Sequence, residues 1–530
     1  MVRVAPAVSG YCRSVDAGVE HSAAASAARR EPLWFADVPS THHAPARGTL
    51  KADVAVLGAG ITGLLTAYAL SRAGASVTVL EARGVGSGAT GHTTAKLTSL
   101  HGLAYGRLVR SVGRERASAH AAANEHGIAV IEDIAESLGL ACDFRRRDNY
   151  TYALDREDLD AVEREAEVTR DLGLAAEFTR EVPLPLDVAG AVRVREQAEF
   201  HPQKFLAGLA AWLSEHGCTV HEQSRALSVQ QGSPCTVRTP DAIVEAGHVV
   251  VATPLPMLDR GLFFARSHPE RSYVVALPLR APGPDGMFLS TEQPAHSIRT
   301  HPHAGEELLL AGGESHKAGQ GGPTEPRYGR LADWAARNFD VGAPRFRWSA
   351  QDHVPADRMP MIGRVWPLSD RILTATGYSK WGLAQAGAAA EILRDLVLGR
   401  DHPWTPVYDP NRIALRAGAA DLIKENANVA ERFVLDRVRR RAPADRPLAP
   451  GEGMIVSHRG RQLALARDDA GQPHAVSARC THLGCIVSYN DAERSWDCPC
   501  HGSRFGLDGD VLEGPAVRPL PPVEHPEHGF

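Results

Sequence analysis

At 530 residues the chain exceeds the roughly 100–200 residues of one core, so several domains are expected. Its 43% hydrophobic and 23% charged residues are those of an ordinary globular protein, and a net charge of −5 gives no electrostatic case for nucleic acid or an anionic membrane. No apolar run approaches the roughly 18 residues of a membrane helix, so no integral membrane segment is expected. Residues 1–50, rich in Ala, Ser, His and Pro, lack the apolar segment of a signal peptide. Arg29-Arg30 is followed by Glu-Pro-Leu-Trp-Phe-Ala-Asp, which does not suit a twin-arginine export signal. This stretch therefore reads as a partly disordered extension or an early start, and the chain as cytoplasmic. Only six of the 58 basic residues are Lys. Of eight cysteines, Cys12, Cys142, Cys218 and Cys235 are scattered, whereas Cys480, Cys485, Cys498 and Cys500 crowd together near the C-terminus.

In chain order, the folded pattern begins at residue 52. Ala52-Asp53-Val54-Ala55-Val56-Leu57 is a short apolar run of the kind a buried parallel strand shows. Gly58-Ala59-Gly60-Ile61-Thr62-Gly63 follows and opens a helix pattern through Leu64, Leu65, Ala67, Tyr68 and Leu70. After a turn at Ala73-Gly74 a second strand, Val77-Thr78-Val79-Leu80, ends on Glu81. Residues 107–140 read as helix, and Val249–Thr253 as a strand stopped by Pro254. The run Leu308-Leu309-Leu310 predicts a strand whose end projects Gly312-Gly313-Glu314-Ser315-His316-Lys317. Ile372–Gly377 passes into a helix over 386–398, which Asp401-His402-Pro403-Trp404 breaks. Residues 411–442 predict a charged amphipathic helix with Leu422, Val429 and Phe433, ending in Arg437, Arg439, Arg440 and Arg441. Pro443, Pro447 and Pro450 then make a stiff linker, and the remainder is short strands and turns.

Gly-x-Gly-x-x-Gly between strand and helix has a mechanical basis. Gly58 allows the tight turn, Gly60 lets backbone approach a pyrophosphate, and Gly63 lets the helix pack on the strand. The phosphates then meet the free amides of a helix N-terminus. Glu81 is placed to accept hydrogen bonds from a ribose diol. The later stretch Arg83–Lys96, with Gly88, His92 and Thr94, resembles the loop by which D-amino-acid-oxidase-like flavoproteins pass the FAD pyrophosphate toward the flavin ring. Val250-Val251-Ala252-Thr253 is similar to that family's second nucleotide-contacting strand, and Asp357-Arg358-Met359-Pro360-Met361-Ile362-Gly363 to its D-x-x-P-x-I-G turn. Ala375-Thr376-Gly377-Tyr378-Ser379-Lys380-Trp381-Gly382-Leu383 resembles the passage that receives the flavin pyrimidine. The resemblance implies FAD bound by Gly58, Gly60, Gly63, Glu81, Gly88, Thr253, Gly377, Trp381 and Gly382. A single glycine motif argues against reductases that bind FAD and NAD(P)H on paired modules, so an organic substrate is expected to supply the electrons.

Cys480-Thr481-His482-Leu483-Gly484-Cys485 and Cys498-Pro499-Cys500-His501-Gly502-Ser503 each offer one thiolate and one imidazole. That suits a [2Fe–2S] cluster with two Cys on one iron and two His on the other. The same residue types also admit a tetrahedral zinc site. The boxes resemble the Rieske domains of quinol-oxidising complexes, which implies Cys480, His482, Cys498 and His501 as ligands and a Cys485–Cys500 disulfide. Such a disulfide is unusual in a reducing cytosol and needs burial to persist. Ring-hydroxylating oxygenases also carry this module, but too little chain follows His501 for their catalytic iron domain, and His525 and His528 read as exposed. The respiratory pattern has a Ser and then a Tyr after the second box; this chain keeps Ser503 but carries Phe505. One fewer donor to a cluster or cysteine sulfur disfavours the more negative reduced state. Phe505→Tyr is therefore expected to raise the cluster potential by roughly 40–60 mV, one neutral hydrogen bond of about 1–1.5 kcal/mol at 59 mV per tenfold. Protein-film voltammetry showing no rise would refute it.

The expected architecture is α/β: a Rossmann-like FAD-binding domain with an interleaved α+β substrate domain, plus a small all-β Rieske domain. Boundaries fall at residues 1–50 for the extension, 51–410 for the flavoprotein, 411–447 for helix and linker, and 448–530 for the Rieske domain. The expected activity is oxidation of a small amine or amino acid by hydride transfer to flavin, with electrons passed to the cluster and on to a one-electron acceptor protein or quinone. His92, Thr94, Lys317 and Lys380 are candidate catalytic residues. Lys96, Lys317 and Lys380 stand in Gly-rich segments, where a cation near the flavin N1–C2=O edge would stabilise reduced flavin. The alternative is an electron-transfer protein with no organic substrate of its own.

Overall fold

The structure, a computed structural model, describes residues 24–412, 419–438 and 447–524. Cys12, the Arg439–Arg441 run, Pro443, His525 and His528 lie outside the described residues.

Fully apolar strands pair in parallel because both faces are covered. Gly48–Leu57 is flanked by Val77–Leu80 on one side and Ala242–Val251 on the other, and the order continues outward to Thr219–His221 and to Ile372–Thr376. Met361–Arg364 closes that second edge antiparallel. Helices Ile61–Arg72, Arg114–Ser137 and Gly382–Val397 share the main core with this sheet. Two of them touch backbone to backbone: a Cβ on Gly127 would lie 1.7 Å from Ala384 O. The helix expected over 107–140 is two, Tyr105–Val112 and Arg114–Ser137, because Gly113 turns the chain at φ 88°.

A second sheet of nine strands is threaded between these segments. Its order is Phe346–Pro355, Ser267–Pro278, Glu306–Lys317, Ser297–His303, Met287–Ser290, Arg145–Ala153, Gly190–Glu199 and Lys96–Leu97, with Ala176–Thr179 beside Gly190–Glu199. Glu306–Lys317 is one continuous strand, so the segment expected to project from a strand end is itself sheet. The C-terminal part is all-β: a three-stranded sheet over Gly453–Ser477 and a four-stranded one over Ser488–Glu513.

Residues 24–50, the described part of the N-terminal extension, belong to the folded body. Leu33 and Trp34 are fully buried, and Trp34 Nε1 donates to Thr93 O at 2.8 Å. The helix Ala419–Val438 is likewise more than a spacer. Glu425 pairs with Lys317 at 2.6 Å, Asn426 donates to Ala265 O at 2.8 Å, and Val429 and Phe433 pack on the C-terminal core. Among the described residues no helix is long and apolar enough to cross a membrane.

Candidate active site and cluster

The first strand, the glycine turn and the helix at Ile61 form one end of a cavity of about 540 Å³. Gly58 sits at φ 109° with a hypothetical Cβ 2.7 Å from Ala252 O, and a Cβ on Gly63 would lie 1.9 Å from Gly58 O. Neither position admits a side chain without moving backbone. Glu81 accepts the Ala59 amide on one oxygen and the Arg83 amide on the other, each at 2.9 Å, which fixes its carboxylate at the cavity wall. Thr90 Oγ1 accepts the Ile61 amide at 3.1 Å. From Glu81 the cavity runs past Gly60, Gly88 and Thr253 to Gly377, Trp381 and Gly382, with His101 stacked on Trp381 at 4.7 Å. Gly63 packs behind it, as a close-approach glycine should. This long slot, acid at one end and glycine turns along it, fits FAD.

Of the four expected catalytic residues, His92, Thr94 and Lys380 line the cavity. His92 Nδ1 bonds Gly88 O at 2.9 Å, and burial pushes its ring down to about 4, so it is neutral near pH 7. Lys380 lines the cavity as a paired cation. Its Nζ pairs with Glu270 at 2.9 Å and donates to Ser315 Oγ at 3.0 Å, while its amide donates to Asp352 Oδ2 at 2.5 Å. Lys317 does not line the cavity: at the far end of its long strand the amine turns to Glu425 of the linking helix. Lys96 lines the cavity with its amine on Phe288 O, and burial with the neighbouring Arg299 charge pushes it down to about 7.

The sheet floor adds residues that had no linear signal. Glu270 and Asp352 are directly paired in register on adjacent strands, and both face the cavity. The hydrogen bond from His268 and the Lys380 charge hold Glu270 well below the usual carboxylate range despite burial. Burial raises Asp352 to about 6.

Period-two alternation puts the second Cys/His box immediately behind this floor. Along Phe346–Pro355, Ala350, Gln351, Asp352 and Val354 all line the cavity, but the Gln351 side chain reaches the other way, its Nε2 donating at 2.8 Å to Gly502 O, and Ser349 Oγ donates to Glu493. On the neighbouring strand Glu270 and Ser272 line the cavity, while Arg271 pairs with Glu493 at 3.0 Å and Asp497 at 3.4 Å. A Cβ on Gly502 would meet Pro269 at 2.7 Å. A layer one strand thick thus separates the cavity from the second ligand loop. The C-terminal segment 512–517 also lines the cavity, and Arg225 donates to Val511 O at 2.7 Å near the Glu81 end.

The rings of His482 and His501 lie 5.1 Å apart at 84°, and Phe264 packs on both at 5.7 and 5.1 Å. Cys480 and Cys498 are buried thiols hydrogen-bonded to each other; that bond draws Cys480 down to about 7 and raises Cys498. Cys485 and Cys500 form a disulfide, both buried. Although Cys498 Sγ lies within 4.8 Å of both disulfide sulfurs, a disulfide offers no thiolate, which leaves Cys480 and Cys498 as the free thiols of the two boxes beside His482 and His501. Two buried thiols with a buried and a half-buried imidazole from the same two loops fit a [2Fe–2S] cluster. Phe505 is fully buried opposite Trp496. The scattered Cys142, Cys218 and Cys235 are buried, and burial raises Cys142 to about 11 and Cys218 to about 12.

A second group, Asp37, His201 and His301, also brings metal-type atoms within 4.8 Å. Here the other nitrogens are committed: His201 Nδ1 accepts the Lys204 amide, and His301 Nδ1 faces the Arg299 guanidinium at 3.3 Å. Each Nε2 therefore carries a hydrogen, and that of His201 lies 3.4 Å from Asp37. This is a carboxylate of the N-terminal segment flanked by two neutral imidazoles rather than a set of free metal donors.

Family comparison agrees with this geometry. Residues 53–396 match the model of the FAD dependent oxidoreductase family, and residues 442–524 that of the Rieske [2Fe-2S] domain, which sets the zinc alternative aside. The Bacillus subtilis (strain 168) protein YhfW, designated a Rieske 2Fe-2S iron-sulfur protein, is 35% identical over 89% of this chain and 94% of its own. The fold also resembles glycine oxidase from Geobacillus kaustophilus (TM-score 0.56, 18% identity, 69% of this chain and 99% of that one). L-proline dehydrogenase from P. horikoshii is similar to the same extent (TM-score 0.56, 20% identity, 69% and 98%). With the glycine-lined slot at one end and the paired Cys/His loops behind its floor, the chain belongs to the FAD dependent oxidoreductase family and carries a C-terminal Rieske [2Fe-2S] domain.

Proposed function

We propose that the protein, acting in the cytoplasm, oxidises a small amine or amino acid at its flavin and passes the electrons through the Rieske cluster to a one-electron acceptor, a protein or a quinone. Bound FAD supplies a two-electron hydride acceptor, and the cluster supplies one-electron transfer. The observation that carries this reading is the single strand layer, Phe346–Pro355, with Asp352 on the cavity side and Gln351 bonded to the Gly502 carbonyl beside ligand His501. The chain's own residues position and exclude: Gly58 and Gly63 permit close approach, Glu81 takes the ribose end, His92 and Thr94 line the substrate end, and segment 512–517 helps cover the slot.

Anaerobic stopped-flow mixing with a panel of amines and amino acids tests it. Flavin bleaching followed by the cluster's visible and EPR changes is expected. Absence of bleaching across the panel would support the carrier without its own substrate, a reading favoured by one observation: Lys380, the cation nearest the flavin turn, is already neutralised by Glu270. Lys380→Met should leave FAD bound but slow flavin reduction on the order of tenfold, about 1.4 kcal/mol, because Glu270 and Asp352 are left uncompensated. An unchanged rate would remove Lys380 from the site.

A further inference from the structure

We infer that the substrate is an amine with no carboxylate on its α-carbon, bound as an alkylammonium against Glu270 and Asp352. This rests on the amine or amino-acid reading above. The two acids are cross-strand partners whose side chains share the cavity face. Like charges directly opposed across a ladder destabilise a sheet, so their placement calls for a cation between or above them. Lys380 supplies one charge, against Glu270. Asp352 receives only backbone amides, from His353 at 2.7 Å and Lys380 at 2.5 Å. Glu270 is already met by Lys380 and by the His268 imidazole at 3.3 Å, so among the described residues Asp352 is the acid of the floor without a side-chain partner of its own.

An amino acid would need a spare cation for its α-carboxylate, and the sheet turns its arginines the other way. Arg271, Arg299 and Arg347 are each 1% exposed and paired with Glu493, Glu199 and Glu325. Arg83 and Arg225 belong to the Glu81 end, whose charge acts on Arg225. Lys96 lines the cavity with its amine on Phe288 O, and burial beside the Arg299 charge pushes it down to about 7, which weakens it as a carboxylate partner. Arg358 lines the cavity from the turn after the strand and is not part of the floor. A carboxylate beside one of these acids is repelled, and an ammonium in the same place is attracted. Gly312 and Gly313 leave room above the floor, and Leu289 offers an apolar wall for an alkyl chain.

The chemistry balances without a further reactant. The ammonium R–CH2–NH3+ releases a proton; the free amine loses its α-hydrogen with two electrons to the flavin and becomes R–CH=NH2+; water converts this to R–CHO and NH4+. Titratable groups around Asp352 are Lys380, Glu270 with the His268 bonded to it, the neighbouring His353, and the Tyr378 phenol beyond them. Its carboxylate form, dominant above pH about 6, is the one that binds, so affinity falls as pH drops below that value.

The test uses the full-length holoprotein, mixed anaerobically with matched pairs: butylamine against norvaline, and phenethylamine against phenylalanine. Amines are expected to bleach the flavin with half-saturation at least about tenfold lower than their amino acids. Bleaching by the amino acids equally well, or by them alone, overturns this inference and leaves the parent reading standing. Bleaching by neither, with dithionite still reducing the flavin, overturns the parent reading and this one with it. Asp352→Asn should raise the amine half-saturation about tenfold or more while the limiting rate changes by less, and Asp352→Glu should restore it. A fall in limiting rate alone would make Asp352 structural and refute the assignment.

Discussion

Arg271→Met is expected to uncouple the two redox halves while leaving substrate oxidation intact. The Arg271 guanidinium is 1% exposed and donates to Ser349 Oγ at 2.6 Å, Glu493 at 3.0 Å and Gln351 Oε1 at 3.1 Å, with Asp497 at 3.4 Å. Its removal leaves Glu493 and Asp497 to share Arg504, and stranding a buried charge costs about 3–5 kcal/mol. That loss falls on the contact between the floor strand and the ligand loops. Flavin bleaching by substrate should keep its rate, since Arg271 does not line the cavity, whereas reduction of the cluster should slow about tenfold or more. The C-terminal domain should also become the first site of limited proteolysis. Arg271→Lys, which keeps the charge but not the planar fork, should fall between. Unchanged cluster reduction in Arg271→Met would show that electrons do not need this docking.

Gly63→Ala should yield protein without FAD. The added Cβ would sit 1.9 Å from Gly58 O, so helix and turn must separate by more than an ångström, removing the amides that meet the pyrophosphate. Such overpacking costs about 1–3 kcal/mol, and cofactor affinity should fall about a hundredfold, read as loss of the flavin absorbance after gel filtration. Gly60→Ala separates folding from binding: its Cβ would lie 3.1 Å from the Thr90 hydroxyl, a contact that can yield, so the fold should survive while FAD binds more weakly. Retained flavin in both variants would place the pyrophosphate elsewhere.

Features written in contiguous residues were legible early. The glycine turn between two apolar strands and the acid after the second describe a local geometry that any neighbours must accept, and the two Cys/His boxes carry their spacing within a few residues. Other expectations failed because they depended on where a segment ends. Lys317 was placed near the flavin on the premise that a strand stops after Leu310; the strand runs on to Lys317 and delivers its amine to Glu425. Residues 24–50 hid Leu33 and Trp34 in an Ala, Ser and Pro background, and one buried indole is enough to dock a segment.

By itself the amino-acid sequence determined the two cofactor-binding patterns and the alternation of strand and helix that builds the flavoprotein half, because these are short-range consequences of turn geometry and apolar period. The tertiary structure alone decided what faces what. Glu270 and Asp352 meet only through the register of two strands distant in the chain, and Gln351 reaches Gly502 only because consecutive residues of a strand point to opposite sides. Side-chain direction across a sheet depends on partners that no single segment specifies, and here that direction sets the charge of the substrate floor and the thickness of the wall behind it.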